Sequence, residues 1–178
     1  MRQAHRAVVL GAAGLLLVGP LLAGCSEASF YEMSGMVYRD PGGTITVGGE
    51  LDVFDLVVGD CFADDEGDGG PDADGRVSSV RAIPCDDPHP YEVFHVFSLP
   101  WQPYPGDDAV VQAADDGCYA EFADFVGQPY EDSSVDFSYF TPLEGEWKGG
   151  RHDRMVQCFV IPSGDVSGTL ADSGREAS

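Results

Sequence analysis

The stretch Tyr91-Glu92-Val93-Phe94-His95-Val96-Phe97-Ser98 indicates the fold most clearly, because it is rich in aromatic and β-branched residues. Its period of two predicts a strand with Val93, His95 and Phe97 on one face and Glu92, Phe94 and Val96 on the other. Both faces carry apolar side chains, which favours a position inside a sheet. The strand is therefore predicted to lie in the middle of the domain.

A single long helix is predicted after this strand. Three prolines within residues 100–106 exclude a regular ladder there. Asp107 or Asp108 can then cap a helix that runs to Val126. Its apolar stripe repeats every four positions: Val110, Ala114, Cys118 and Phe122, continued by Phe125 or Val126. Gly117 is expected to weaken the helix by about 1 kcal/mol relative to alanine. The stripe predicts that the helix packs on the sheet with Cys118 toward the core.

Four further strands are predicted from short runs of apolar and β-branched residues, at residues 56–62, 77–85, 135–140 and 155–161. Together with the helix they give a small α+β domain, in which one main helix packs on a small antiparallel sheet.

The first 24 residues have the order of an export signal. Arg2 and Arg6 form a basic start, residues 7–22 are apolar and uncharged, and small residues precede Cys25. The run Leu22-Ala23-Gly24-Cys25 resembles the lipobox of bacterial lipoproteins, whose cysteine carries lipid. The alternative is an uncleaved membrane anchor. We expect residues 1–24 to be a signal peptide, and lipid on Cys25 to hold the protein on the outer face of the plasma membrane.

The chain after Cys25 divides into three parts. Residues 25–52 are glycine-rich and are expected to form a flexible tether, although apolar residues within it could form a short strand. Residues 53–170 form the domain, and residues 171–178 are expected to be a disordered tail. Without Arg2 and Arg6, 7 basic residues remain against 31 acidic ones, a net charge near −24. Such a surface repels nucleic acid and anionic lipid and favours cations or basic partners.

Four cysteines remain in the exported domain, and an even number predicts two disulfides: Cys61, Cys85, Cys118 and Cys158. Three pairings are possible. We favour Cys61–Cys85 and Cys118–Cys158, each worth about 3–4 kcal/mol in the chain-entropy model. No pair has Cys-x-x-Cys spacing, so neither a zinc ribbon nor thioredoxin-type redox chemistry is indicated.

The order of several sequence pieces resembles the septum formation domain of actinobacterial membrane proteins and lipoproteins. These pieces are residues 56–62 with Gly59-Asp60-Cys61, residues 83–94 with Pro84-Cys85-Asp86-Asp87-Pro88-His89-Pro90-Tyr91, residues 104–106 before the helix of Cys118, and Pro142, Trp147, Arg154 and Cys158. The resemblance covers residues 54–170. It implies a cell-envelope role near the site of division and no known catalytic activity.

Metal and cofactor sites are not expected. His89, Glu92 and His95 have a spacing that could bind metal on a helix, but on a strand Glu92 would face away from both histidines. The acidic run after Cys61 lacks the bidentate glutamate of a calcium loop, since Gly75 occupies that position. The default for this run is a solvated acidic loop. No nucleophile motif is present, so no catalytic residue is assigned and the protein is not expected to be an enzyme.

The turn at residues 84–92 is the candidate partner-binding site. One disulfide and three prolines would make it rigid, so that Asp87, His89 and Tyr91 could be presented at low entropic cost. An equally ordinary interpretation is a turn that only orders the sheet. Aromatic residues could also line a groove or belong to the core: Trp101, Tyr104, Tyr130, Tyr139, Phe140 and Trp147.

Three classes of function follow. The first is a non-catalytic binding or scaffolding module of the envelope that contacts division or cell-wall proteins. The second is a receptor for a solute or wall fragment, and the third is a hydrolase with a dispersed site. A deep polar pocket favours the receptor, and a buried titratable pair in such a pocket favours the hydrolase. A flat exposed aromatic patch favours the binding module.

Overall fold

In the computed structural model, which describes residues 35–64, 77–149 and 153–174, the strand predicted at Tyr91–Ser98 lies within a six-stranded antiparallel sheet. The strands are β1 (Tyr38–Arg39), β2 (Ile45–Val47), β3 (Gly49–Asp52), β4 (Cys61–Ala63), β5 (Ser79–Ile83), β6 (Tyr91–Ser98), β7 (Asp136–Phe140) and β8 (Met155–Ile161). The helices are α1 (Asp107–Val126) and α2 (Glu144–Lys148). The larger sheet has the order β3-β5-β4-β6-β8-β7, and β1 pairs with β2 in a separate hairpin. The predicted α+β architecture is confirmed.

Strand β6 has the predicted bounds but not the predicted faces. Val93 belongs to the cluster on one side of the sheet and Phe94 to the cluster under the helix, as alternation requires. The pairing with β8 then shifts between Val93 and His95. After this irregularity Phe97 packs on the helix side and Val96 on the other side, opposite to the prediction. The prediction was wrong here because one extra residue in a ladder reverses every later side chain.

Helix α1 buries the predicted stripe of Val110, Ala114, Cys118, Phe122 and Val126. Gly106 is its N-cap residue, and Asp107 and Asp108 lie in the first turn and do not cap it. Gly117 has a packing role, since a Cβ atom there would lie 2.4 Å from the ring of Phe97. In the described part of the chain, no helix is long and apolar enough to cross a membrane.

Both predicted disulfides are present, which confirms the favoured pairing. Cys61 bonds Cys85, so β4 is tied to the turn that follows β5. Cys118 bonds Cys158, so α1 is tied to β8 at the centre of the core. All four cysteines of residues 53–170 are therefore in disulfides.

Residues 38–52, which the sequence assigns to the tether, form β1, β2 and β3. Ile45 and Val47 are buried, and β3 pairs antiparallel with β5. Arg39 makes a bidentate ion pair with buried Asp60, at 2.5 and 2.7 Å. This pair and hydrogen bonds to backbone carbonyls hold the hairpin on the domain. The hydrogen bonds to Asp60 raise the pKa of Arg39 against the opposing effect of burial, and the charges of Asp60 and Asp55 add to the increase. Of the strand predicted at residues 56–62, only the last two residues belong to β4. Residues 57–60 form a hydrogen-bonded turn instead.

Residues 166–174, called the C-terminal strap below, lie across the end of α1 and the turn before β6. Val166 makes two backbone hydrogen bonds with His89, and Leu170 is buried in the core. The amides of Asp172 and Gly174 donate to carbonyl oxygens of the last turn of α1, where helical partners are missing. Residues 171–174 of the expected tail thus hydrogen-bond to the domain, while residues 175–178 lie outside the described chain.

Candidate functional site

The turn at residues 84–92 presents only part of its predicted recognition surface. Asp87 is exposed, and its amide donates to the carbonyl of Pro84 at 2.9 Å. Tyr91 is half-buried and packs against Phe62 and Phe159, with ring centroids 5.2 and 5.4 Å away. Burial, together with nearby Asp64, raises the pKa of the Tyr91 phenol. His89 is fully buried, so its ring does not lie on the surface offered to a partner.

His89 instead orders the turn from inside. Its Nδ1 atom lies 2.8 Å from the carbonyl oxygen of Asp87, which suits an N–H donor at Nδ1. Its backbone makes both hydrogen bonds to Val166 of the C-terminal strap. These contacts favour the second interpretation of the turn, in which it orders the sheet.

We therefore predict that His89→Ala lowers the free energy of unfolding by about 2 kcal/mol, through a lost hydrogen bond and a cavity. Thermal unfolding followed by circular dichroism measures it, with exposed Asp87→Ala as the control that changes little. An unchanged melting temperature, together with weaker association with a partner, would support a recognition role for the turn instead.

Cys61, His89 and Glu92 form a buried group whose potential ligand atoms lie within 4.8 Å of one another. The sulfur of Cys61 is in a disulfide, and both Glu92 oxygens accept hydrogen bonds from the C-terminal strap. His95 is not in the group and stacks on Phe97, with centroids 5.4 Å apart. The oxidised group therefore works as a structural junction. The acidic run at residues 64–75, which the sequence predicts to be a solvated loop, lies outside the described chain except for Asp64.

An open groove of about 950 Å³ lies beside β7. One wall comes from the start of α1 and the loop before it, and the other from the end of β3 and the residues before β5. The floor and one end are formed by β7, β8 and residues 141–146. Of the six aromatic residues singled out from the sequence, Tyr104, Tyr139 and Phe140 line the groove.

Of the other three aromatic residues, Tyr130 packs against Phe122 and Phe137, while Trp101 and Trp147 stack on Arg154 beside the groove. Trp147 is buried, and its indole N–H donates to the carbonyl oxygen of Gln102 at 2.9 Å. The guanidinium of Arg154 lies 3.7 Å from the centroid of the Trp147 ring and 4.9 Å from that of Trp101. Arg154 also donates to the carbonyl oxygens of Trp147 and Asp153. This stack fixes α2 against the proline-rich loop, so two parts of the groove wall are held together.

The groove is strongly acidic. Asp52, Asp107, Glu144 and Glu146 line it, and none of the described lining residues is basic. The neighbouring Lys148 forms an ion pair with Glu144 and lies 6.0 Å from the centroid of the Tyr104 ring, so Asp52, Asp107 and Glu146 carry the excess negative charge. Partial burial, then the hydrogen bond to Asp107 and the charges of Asp107 and Glu144, raise the pKa of Tyr104 to about 12. Tyr104 therefore stays protonated and donates to Asp107 at neutral pH. The groove can attract cations and donate or accept hydrogen bonds, while Tyr139 and Phe140 offer apolar contact.

Strand β7 also ends the sheet at this groove. It pairs with β8 on one side, and among described residues no other strand pairs with it. The family model for septum formation matches residues 58–158. The chain belongs to the septum formation family. No curated protein and no solved structure matches it.

In this member of the septum formation family, the matched residues include both disulfides, β4 to β7 and the start of β8. The β1–β2 hairpin, β3 and the C-terminal strap lie outside the match. The family resemblance inferred from the order of sequence pieces is thus confirmed, and membership supports a role related to cell division.

The groove was not predicted as a site, although the sequence contains a signal for it. Residues 96–147 include no lysine, arginine or histidine. They include 11 acidic residues: Asp107, Asp108, Asp115, Asp116, Glu121, Asp124, Glu131, Asp132, Asp136, Glu144 and Glu146. This run contains helix α1 and the edge strand β7, which are neighbours in the fold. Its acidic residues therefore lie on one continuous negative surface.

Proposed function

We propose that this protein is a lipid-anchored, non-catalytic binding module that acts on the outer face of the plasma membrane during septum formation. The observation that carries the proposal is the acidic groove at the open edge of the sheet, since it is broad and charged and lies beside unpaired strand backbone. Such a surface suits recognition of a polypeptide in the envelope. The family membership supports its connection to division.

The other two functions have less support. A receptor for a small solute needs an enclosed pocket that surrounds most of its ligand, whereas this groove is partly open to solvent. A hydrolase needs a titratable pair held in a protected environment. Asp107 and Glu144 are exposed carboxylates whose bonded partners are a tyrosine and a lysine. These contacts favour an electrostatic role for the two groups.

Anchoring through Cys25, which lies outside the described residues, is the first part to test. Cys25→Ala is expected to abolish fatty-acid labelling and signal-peptide processing, because the thiol is the attachment point. Metabolic labelling with a fatty-acid analogue, followed by mass determination, measures both. The wild-type chain is the control, and a Cys25→Ala variant that is labelled and processed normally would contradict the lipid anchor.

The binding function is tested by position in the cell. A fluorescent fusion to the anchored wild-type chain should concentrate at the division septum. An equally anchored variant with the groove carboxylates neutralised, Asp107→Asn with Glu144→Gln and Glu146→Gln, should spread over the envelope. A wild-type fusion that is uniformly distributed would overturn the proposed function.

A further inference from the structure

We infer that the groove binds a basic, extended polypeptide segment that lies along the free edge of β7. The inference rests on the proposed function and deepens it by naming the partner's chemistry. The groove, the backbone of β7 and the charge of the surrounding surface each contribute one part of the argument.

The backbone of β7 offers hydrogen-bonding groups on its outer side. The amide of Phe137 donates to the side chain of its neighbour Asp136 at 2.8 Å, so it does not point toward β8. In an antiparallel strand the N–H and C=O of one residue point to the same side, and the direction alternates along the chain. Tyr139 therefore also presents its N–H and C=O outward. A peptide lying along the edge can pair with the Tyr139 backbone and with the carbonyl of Phe137.

The two walls match the alternation of an added strand. Side chains of a strand point alternately to opposite faces. On one side they would meet Asp107 and Val111 of α1, and on the other Asp52 and Phe54 at the end of β3. Each wall thus combines a carboxylate with an apolar side chain. Val111 is exposed by 47 %, which leaves apolar surface that a bound segment would cover.

Charge decides the class of the bound segment. Residues 96–147 carry 11 acidic residues and no basic one, so the flank formed by α1 and β7 is negative throughout. Asp115 and Asp136 extend the negative field beyond the groove. The pKa of Tyr130 is raised first by its hydrogen bond to Asp136, and the negative charges of Asp136 and Asp115 contribute to the increase. Acidic peptides, nucleic acid and anionic headgroups are repelled by such a field. A segment that alternates basic and apolar residues complements both the charges and the walls.

The experiment uses the lipidated full chain in non-ionic detergent micelles and labelled synthetic peptides followed by fluorescence anisotropy. The probe is Lys-Val-Lys-Val-Lys-Val-Lys. One comparison peptide replaces each valine by proline, which keeps the charge but removes amides needed for strand pairing. A second replaces each lysine by glutamate. We expect the lysine–valine peptide to bind roughly tenfold more tightly than the proline peptide, and the glutamate peptide not to bind.

Two variants with the same change of net charge separate the groove from general attraction. The groove variant combines Asp107→Asn, Glu144→Gln and Glu146→Gln. The matched control combines Asp86→Asn, Asp165→Asn and Asp172→Asn, three exposed residues that do not line the groove. We expect the groove variant to weaken binding of the lysine–valine peptide roughly tenfold, and the control to weaken it by less than about twofold.

Equal weakening by both variants would overturn the inference, since the attraction would then be diffuse. Equal affinity for the valine and proline peptides would overturn the pairing with β7. Calcium chloride that binds the groove carboxylates while the peptide does not would also overturn it. These failures leave septal positioning of the wild-type chain intact, whereas a uniformly distributed wild-type fusion overturns the proposed function without any peptide measurement.

Discussion

Replacing Cys118 and Cys158 together by alanine is expected to lower the free energy of unfolding by about 4 kcal/mol. The disulfide closes a separation of 40 residues, and in the chain-entropy model a loop of this length contributes about 4 kcal/mol. Both cysteines are fully buried in the cluster under α1, so alanine avoids an unsatisfied buried hydroxyl group. Equilibrium unfolding in urea measures the change.

The matched control is the double replacement Cys61→Ala with Cys85→Ala, which removes the other disulfide. That bond closes a separation of 24 residues and is expected to contribute about 3 kcal/mol. The two variants differ in what is released: the first frees α1 from β8, and the second frees the turn from β4. A Cys118 and Cys158 variant that unfolds at the wild-type urea concentration would contradict the central role of this bond.

Helix α1 and its disulfide were predictable because their signals are local. Apolar residues at spacings of four define the buried face from Val110 to Val126, and Cys118 lies in the middle of it. A cysteine on the core face of the only long helical pattern needs a partner on the sheet, and Cys158 lies in the last apolar run. Periodicity thus places Cys118 toward the sheet but leaves three pairings open, and the structure selects Cys118–Cys158 among them.

The faces of β6 and the place of His89 were not predictable for a common reason: both depend on where the strand's ladder begins and is interrupted. His89 precedes β6 and is separated from it by Pro90, so the period of two does not extend to it. The ligand atoms of His89 and Glu92 lie within 4.8 Å of each other, although strand alternation predicts that Glu92 faces away from His89. The shift after Val93 depends on pairing with β8, more than fifty residues away along the chain.

The N-terminal hairpin and β3 were hidden by composition. Glycine-rich sequence predicts a flexible linker when it is considered alone. Here Gly49 approaches the backbone so closely that a Cβ atom would lie 2.3 Å from the carbonyl oxygen of Gly35. Arg39, one of few basic residues, finds its partner in Asp60 of the Gly59-Asp60-Cys61 run. Glycine thus permits close packing of the backbone in this segment. A glycine-rich composition alone does not show whether the glycines serve close packing or flexibility.

The C-terminal strap lies outside the residues matched by the family model, but its partners lie inside them. Gly168 donates to the carbonyl of Cys85, and Leu170 donates to the side chain of Glu92. The buried group of Cys61, His89 and Glu92 therefore joins the strap to the disulfide-linked turn. Any substitution at this junction acts on two distant parts of the chain together.

Replacing Glu92 by alanine is expected to lower the free energy of unfolding by about 3 kcal/mol. The Glu92 side chain is 2 % exposed, and its two oxygens accept hydrogen bonds of 2.6 Å from the Thr169 hydroxyl and the Leu170 amide. Removing the carboxyl group leaves the buried Leu170 amide without its acceptor, at a cost of about 1–3 kcal/mol. The lost packing adds to that cost. Urea unfolding measures the total, and hydrogen exchange of the Leu170 amide reports the local release of the strap.

Thr169→Val is the matched control for Glu92→Ala, because it removes one of the two hydrogen bonds that Glu92 accepts and leaves the Leu170 bond intact. It also removes the exposed hydrogen bond from the Ala171 amide to the Thr169 hydroxyl oxygen. It is expected to cost about 1 kcal/mol and to preserve protection of the Leu170 amide. If Glu92 holds the strap, only Glu92→Ala accelerates exchange at Leu170 beyond the rate set by global unfolding. Wild-type protection of that amide in Glu92→Ala would mean that Val166 and the buried Leu170 side chain hold the strap, and that Glu92 contributes only packing.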